Sequence, residues 1–366
     1  MMNSHAGISA LLRQGVRDGV YPGAVLLAAR AGEIIFLEAA GRRSLVPPAG
    51  PVRTDTIFDL ASLTKPLAAT PAVMKLVDMG RLGLDRPLGD LLDVPVPEEK
   101  REITLRRLLN HSAGFTDWHP FYRELEDVPL PERKAVLRRR LLDFPLDYRP
   151  GERCVYSDLG FMLLEWIIEA CAGMPLDRFI EKEFYGPLLL KDTFLGKDHL
   201  PEGMVPERFA ATEKCPWRGE TVLGYTHDEN AWSFGGYSGH AGLFGTAGEV
   251  YALAELLRTH YHGERTDHLR PETVRAFFTR EGPGRNGSRA LGWDTPAREG
   301  SSAGRYFSGN SVGHLGFTGC SLWMDLDKNV IVIFLTNRIH PTRENEKIRA
   351  FRPVVHDRVM TELGFG

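Results

Sequence analysis

The sequence predicts an α+β fold, an α/β/α sandwich around one central antiparallel sheet that both ends of the chain build together. Near the N-terminus an amphipathic stretch is followed by two short apolar runs with a tight turn between them. Near the C-terminus the same parts recur in reverse, two apolar runs and then an amphipathic stretch. Between these ends the apolar residues fall at helical spacing, which predicts a mainly helical insertion.

Taken in order, Ile8, Leu11, Leu12 and Val16 share one face of a helix. Ala24 to Ala29 and Ile34 to Leu37 flank a turn at Ala31-Gly32, so they are expected to pair antiparallel. Pro66 to Met79, Leu105 to Asn110, Pro131 to Leu142 and Leu159 to Cys171 carry helical spacing between loops rich in proline or glycine. Thr246 with Glu249 three residues on is a capping-box start for one more helix. Glu281 to Gly304, rich in Gly, Arg and Ser, reads as a surface loop. Leu322 to Leu326 and Val330 to Leu335 form a second hairpin across Asp327-Lys328-Asn329, and a charged amphipathic stretch from Asn345 to Leu363 closes the chain. The expected division is a sheet domain, residues 1–75 and 245–366, interrupted by a helical insertion domain, residues 76–244.

At 366 residues the chain can bury a large core without staples, and 43% hydrophobic residues, 25% charged residues and a net charge of −3 are ordinary for a globular protein. This balance favours neither nucleic acid nor an anionic membrane as partner. No uninterrupted apolar run follows Met1-Met2-Asn3-Ser4-His5, and Val330 to Leu335 is far short of the roughly 20 residues that span a bilayer. Cys154, Cys171, Cys215 and Cys320 are widely separated with no C-x-x-C pair, so reduced thiols in a cytoplasmic protein are expected.

Chemistry is carried first by Leu60-Ala61-Ser62-Leu63-Thr64-Lys65-Pro66. Ser62 and Lys65 are three apart, hence on one side of a helix whose first turn suits Pro66. A serine hydroxyl becomes nucleophilic when a desolvated lysine can take its proton, and the free N–H groups of a helix start can bind an oxyanion. The S-x-x-K spacing alone is common by chance. Here it has company: Tyr156-Ser157-Asp158 lies between the Pro150-Gly151 turn and an apolar helix, and His314-Leu315-Gly316 precedes Phe317-Thr318-Gly319 at the entrance to the strand Leu322 to Leu326. The order matches a known catalytic pattern, S-x-x-K, a second polar triplet, then a K-T-G-like strand.

On these residues the chain resembles the β-lactamase-related serine hydrolases: class C β-lactamases, low-molecular-weight penicillin-binding proteins and their esterase relatives. Phe58 to Lys65 is similar to the family's nucleophile segment, Ile103-Thr104-Leu105-Arg106-Arg107-Leu108-Leu109-Asn110-His111-Ser112-Ala113-Gly114-Phe115 to its ITLRHLLTHTSGL landmark, and Tyr156 to Phe161 with Ala172 to Leu176 to its Y-S-N segment and continuation. The resemblance implies Ser62 as nucleophile, Lys65 and Tyr156 sharing general-base and general-acid work, and the backbone N–H groups of Ser62 and Phe317 as the oxyanion hole. Asp158, His314, Leu315, Gly316 and Phe317 are then expected to face a small-molecule or short-peptide substrate, without cofactor or metal.

Three positions depart from the pattern: Asp158 where the family has asparagine, His314 where β-lactamases have lysine, and Leu315 where they have threonine. An ionised Asp158 beside Lys65 favours the ammonium and shifts weight onto Tyr156. A neutral His314 and a Leu315 without hydroxyl weaken the grip on a substrate carboxylate. The expectation is therefore an esterase or amidase, with β-lactamase or D-alanyl-D-alanine carboxypeptidase activity as the alternative and a non-catalytic peptide or muropeptide binder as the rival. Arg338 and Arg343 read as a carboxylate clamp or as solvated surface charge. His227-Asp228-Glu229-Asn230 with His240 reads as a loop lining the cleft rather than a metal site, and His111 as a helix-end histidine. Trp118, Tyr122, Trp217 and Trp232 read as core or rim aromatics.

Overall fold

Val330–Thr336, a run of seven residues without a charge, lies inside an eight-stranded sheet. It does not alternate because both faces are covered. Val330, Val332 and Phe334 enter one apolar core, and Ile331, Ile333 and Leu335 enter the other. The structure, a computed structural model, describes residues 5–282 and 289–366; Met1 to Ser4 and part of the Glu281 to Gly304 segment lie outside the described residues.

In chain order the strands are β1 (Gly23–Arg30), β2 (Glu33–Ser44), β3 (Gly50–Pro51), β4 (Phe58–Ala61), β5 (Phe194–Leu195), β6 (Lys214–Cys215), β7 (Glu220–Thr221), β8 (Leu243–Gly245), β9 (Arg289–Ala290), β10 (Trp293–Asp294), β11 (Ser311–Leu315), β12 (Ser321–Asp325) and β13 (Val330–Thr336). The main sheet runs β3-β2-β1-β13-β12-β11-β10-β9 with antiparallel neighbours. β1 pairs with β13 from Ala24 opposite Thr336 to Arg30 opposite Val330, so the two chain ends meet at mid-sheet as the sequence predicts.

The first helix, Ala6–Arg17, and the last, Ile348–Glu362, pack Ile8, Leu12, Val355 and Val359 with Leu26 and Phe334 over one face. The other face meets the helices Thr70–Asp78, Asp158–Ala172 and Ala247–His262, whose Val73, Leu163 and Leu253 share a core with Leu27 and Ile333. This is the expected α/β/α sandwich.

Three local readings are corrected. The surface loop expected over Glu281 to Gly304 contains β9 and β10, because Ala290, Leu291 and Trp293 are buried there; two-residue strands leave no periodicity to detect. His314 and Leu315 do not lead into the next strand but end β11, a strand of their own paired with β12. The capping box at Thr246 is half made. Its hydroxyl accepts the Glu249 N–H at 3.3 Å, but the Glu249 carboxylate turns away to the N–H groups of Lys191 and Asp192 at 2.8 and 3.0 Å.

Candidate active site

β4 pairs with β8, which also pairs with β5, and the pairing slips between Asp59 and Ala61. Ala61 has φ +48°, a left-handed conformation that costs a residue with a Cβ about 1–2 kcal/mol. The buried Asp59 carboxylate offsets that cost by accepting the Ala61 N–H at 2.8 Å and the His227 N–H at 2.9 Å. Thr64 fixes the next turn, donating to Ala61 O at 2.6 Å and accepting the Leu243 N–H at 2.9 Å. Ser62 is thereby delivered at the tip of a sharp strand-to-helix turn.

Lys65 opens a π-helical turn, Lys65–Ala69, with Pro66 in its first turn, and its side chain is 0% exposed. The ammonium lies 2.6 Å from Tyr156 Oη, 2.7 Å from Asp158 Oδ1, 3.1 Å from His240 O and 3.4 Å from Ser62 Oγ. Three N–H bonds face four acceptors, and the serine is the most distant of them. Burial alone would lower the lysine pKa, but the charge of Asp158, with Tyr156, outweighs burial and raises it above its ordinary value. Burial also raises the Tyr156 phenol, against the opposing pull of Lys65, so at rest the pair is ammonium and neutral phenol.

Tyr156 is seated by its neighbours on both sides. Ser157 caps the helix Asp158–Ala172 through its hydroxyl, and Asp158 occupies the first turn, where a carboxylate suits the helix dipole. His111 Nδ1 accepts the Ser157 N–H at 3.0 Å, and its ring lies on Tyr156 at 4.8 Å and on Phe161 at 5.2 Å. Burial, with the nearby cations Arg289 and Lys65, pushes His111 well below its usual pKa, so it is a neutral positioning residue.

The end of β11 approaches β4 closely. A Cβ on Gly316 would stand 2.6 Å from Leu60 O, so only glycine lets the strand come this near and brings Phe317 to the serine turn. Among the described residues neither the Ser62 nor the Phe317 N–H has a backbone acceptor. His314 is buried with its ring 6.0 Å from Tyr156; Nδ1 donates to Leu315 O at 2.8 Å, and among the described residues Nε2 has no partner. Burial, with Lys65 and Arg289, depresses its pKa far below the usual histidine value, so it brings no positive charge. Leu315 closes the hairpin opposite Ser321.

Ser62, Lys65, Tyr156 and Asp158 thus form one contact network, with Gly316, Phe317 and His314 beside it. Arg338 and Arg343 are neither a substrate clamp nor solvated charge. Arg338 donates to the carbonyls of Phe317, Arg343 and Asn345, and Arg343 is held by Glu213 at 2.6 Å and Glu229 at 2.5 Å. His227 completes that network, bonding Glu213 at 3.0 Å and stacking on Phe317 at 5.9 Å. Asp158, Asp228 and His240 bring ligand atoms within 4.8 Å of one another, as do Glu213, Cys215 and Glu229, but Lys65 sits on the first set and Arg343 on the second. Protein cations already answer these carboxylates.

Sequence reasoning named Asp228 and His240 as cleft-lining residues without their mutual contact at 3.0 Å, and it missed Asp59 and Arg289, whose guanidinium lies 5.3 Å from the Tyr156 ring and pairs with Asp294. Asp59 stood three residues before Ser62, a signal that was available. His240 reaches Lys65 through a backbone carbonyl, which no sequence pattern reveals.

A strained strand-to-helix turn presenting a serine, a buried lysine–tyrosine pair and, among the described residues, two amides without a backbone acceptor at Ser62 and Phe317 define a protein of the active-site serine class. The β-lactamase family model matches residues 8–355. The chain belongs to the β-lactamase family and is a serine hydrolase. It is 33% identical to the N-acetylmuramyl-L-alanine amidase of Bacillus subtilis (strain 168), over 91% of this chain and 80% of that protein. It is 33% identical to a provisionally named D-alanyl-D-alanine carboxypeptidase of Escherichia coli O157:H7, over 90% of this chain and 82% of that one. Its fold is similar to that of EstCE1, a hydrolase with promiscuous acyltransferase activity, with a TM-score of 0.71 and 24% identity over 96% and 98% of the two chains. Among the described residues no single helix is long and apolar enough to cross a membrane.

Proposed function

We propose that Ser62 Oγ attacks the carbonyl carbon of an ester or amide in a small molecule or short peptide, forming an acyl-enzyme. The observation that carries this is the convergence of Ser62, Tyr156 and Asp158 on the buried Lys65 ammonium. The Lys65–Tyr156 pair, after losing one of its protons, accepts the proton of Ser62 and returns it to the leaving alcohol or amine. The N–H groups of Ser62 and Phe317 bind the oxyanion, and water activated by the same pair releases the acyl group. Asp158, His314, Leu315 and Gly316 complete the substrate-facing wall.

A neutral His314 supports esterase or amidase activity over β-lactamase or D-alanyl-D-alanine carboxypeptidase activity, since the cation on that side, Arg289, is already paired with Asp294. The amidase relative supports an amide substrate. The same reading takes residues 1–75 and 245–366 as the sheet domain and 76–244 as the insertion, with the site at their seam. It includes a cytoplasmic location, supported by four free cysteines.

The test is trapping. Intact-protein mass spectrometry after exposure to an activated phosphonate, a penicillin and a nitrophenyl ester is expected to show a phosphonyl adduct that peptide mapping places on Ser62, with turnover of the ester. A persistent penicilloyl adduct would move the assignment toward the penicillin-binding alternative, and an adduct on another residue would remove Ser62 from the reaction.

Asp158 sets a pH prediction. It holds the ammonium on Lys65 and disfavours the tyrosinate, so the pair gives up its first proton only as pH rises, and kcat/KM should climb into the alkaline range. In Asp158→Asn both effects weaken, both pKa values fall, and the climb should move to lower pH by about 1 unit or more. A pH–rate profile on the nitrophenyl ester whose midpoint does not move would show that Asp158 does not control this proton.

A further inference from the structure

Beside the site lies aromatic surface that the proposed chemistry does not use. Trp118 and Trp217 are 43% and 37% exposed. Both lean on the buried ring of Tyr122, Trp118 at 6.5 Å and Trp217 edge-on at 4.7 Å. Trp217 also meets Trp232 edge-on at 5.4 Å, and Trp232 Nε1 is fixed by Asp198 O at 2.8 Å. The Arg218 guanidinium lies over both rings, 5.4 Å from Trp217 and 5.0 Å from Trp232.

This row is tied to both walls of the reactive centre. The carbonyl of Asp117, next to Trp118, accepts the N–H of Asp158, whose carboxylate holds Lys65. At the other end Arg218 Nη1 donates to His227 O at 3.0 Å, and the His227 ring stacks on Phe317. Both indoles are thus linked through short contacts to the walls around Ser62, where the remaining parts of a substrate held there can meet them. The setting is open and bordered by charge, with the Asp117 carboxylate exposed beside Trp118 and Arg218 beside Trp217. An alkyl chain is best bound where water is shut out. A pyranose is amphipathic: its C–H face stacks on an aromatic ring while its hydroxyl and acetamido groups keep water and polar neighbours at the edge. Exposed indoles with ionic borders suit that ligand.

We propose that Trp118 and Trp217 form a stacking platform for an amino-sugar ring carried by the substrate, outside the position of the scissile bond. This rests on the hydrolase reading above and names the substrate class for the same site.

Two measurements separate the two ideas. Calorimetric titration of N-acetylmuramic acid into the Ser62→Ala protein, which needs no turnover, is expected to show binding that weakens about tenfold or more in Trp118→Ala and Trp217→Ala backgrounds, with Trp217→Phe intermediate. In the enzyme with Ser62 intact, the same tryptophan changes should raise KM for an N-acetylmuramyl-L-alanine substrate and leave kcat/KM for nitrophenyl acetate within about threefold, since the acetyl ester is too short to reach the platform. Unfolding curves that match the parent protein confirm that the variants fold. No sugar binding to the parent protein, or binding unchanged in both alanine variants, would overturn the platform whatever the esterase assay shows. Sugar binding intact alongside an inert Ser62 would overturn the hydrolase chemistry and leave the platform standing.

Discussion

Replacing Ser62 with alanine is expected to lower kcat on an activated ester by on the order of 10⁴ to 10⁶-fold, as removal of the nucleophile does in other serine hydrolases. The loss should fall on kcat rather than KM, because no binding contact is removed. The turn around Ser62 should survive the change. It is held by Asp59, Thr64 and the left-handed Ala61, not by the serine hydroxyl, whose contact with Lys65 is a long 3.4 Å. Stopped-flow assays with the nitrophenyl ester provide the measurement, with thermal unfolding run in parallel. A folded Ser62→Ala protein that kept more than about one per cent of the parent rate would rule out the acyl-Ser62 route.

The second large effect is expected at Lys65. Lys65→Met keeps the stem volume and removes the ammonium, and kcat should fall about 10² to 10⁴-fold, the range typical of a lost acid–base group. Stability should fall as well, by up to about 3–5 kcal/mol, the cost of breaking a buried pair and orphaning its carboxylate. Partial access of Asp158 to the cleft, at 14% exposure, places the expected loss toward the lower end. The double variant Lys65→Met/Asp158→Asn separates the two roles. Without the orphaned charge it should regain most of the lost stability while its activity stays low. If activity returned together with stability, Lys65 would be a structural cation and Tyr156 would have to act alone.

Much of the fold was legible because the two terminal hairpins carry their own signals. Val330 to Leu335 and Ala24 to Ala29 are apolar runs too short for anything but buried strands, and each faces its neighbour across a short turn. What was not legible lacks local periodicity. β9 and β10 have two residues each, and their pairing is decided by the burial of Trp293 rather than by pattern. The site shows the same split. Ser62, Lys65 and Tyr156 were named from motifs, and Lys65 stands within hydrogen-bond reach of both hydroxyls. Arg343 was misjudged because its partners Glu213 and Glu229 are distant in sequence, so an arginine in a charged loop read as surface or clamp. Asp158 was legible as a change of charge, and its carboxylate lies 2.7 Å from the Lys65 ammonium.

The pairing of β1 with β13 also has a consequence for how the chain is made. β1 and its second partner, β13, are separated by roughly 300 residues, so during synthesis at about 5–20 residues per second one edge of β1 waits some 15–60 seconds for β13 to emerge. Throughout that interval Val25, Leu26 and Leu27, fully buried in the finished protein, form part of an apolar strand with a free edge. The nascent N-terminal hairpin is therefore a segment that a chaperone would protect, and ribosome-bound chains halted before residue 330 should aggregate more than chains that include β13.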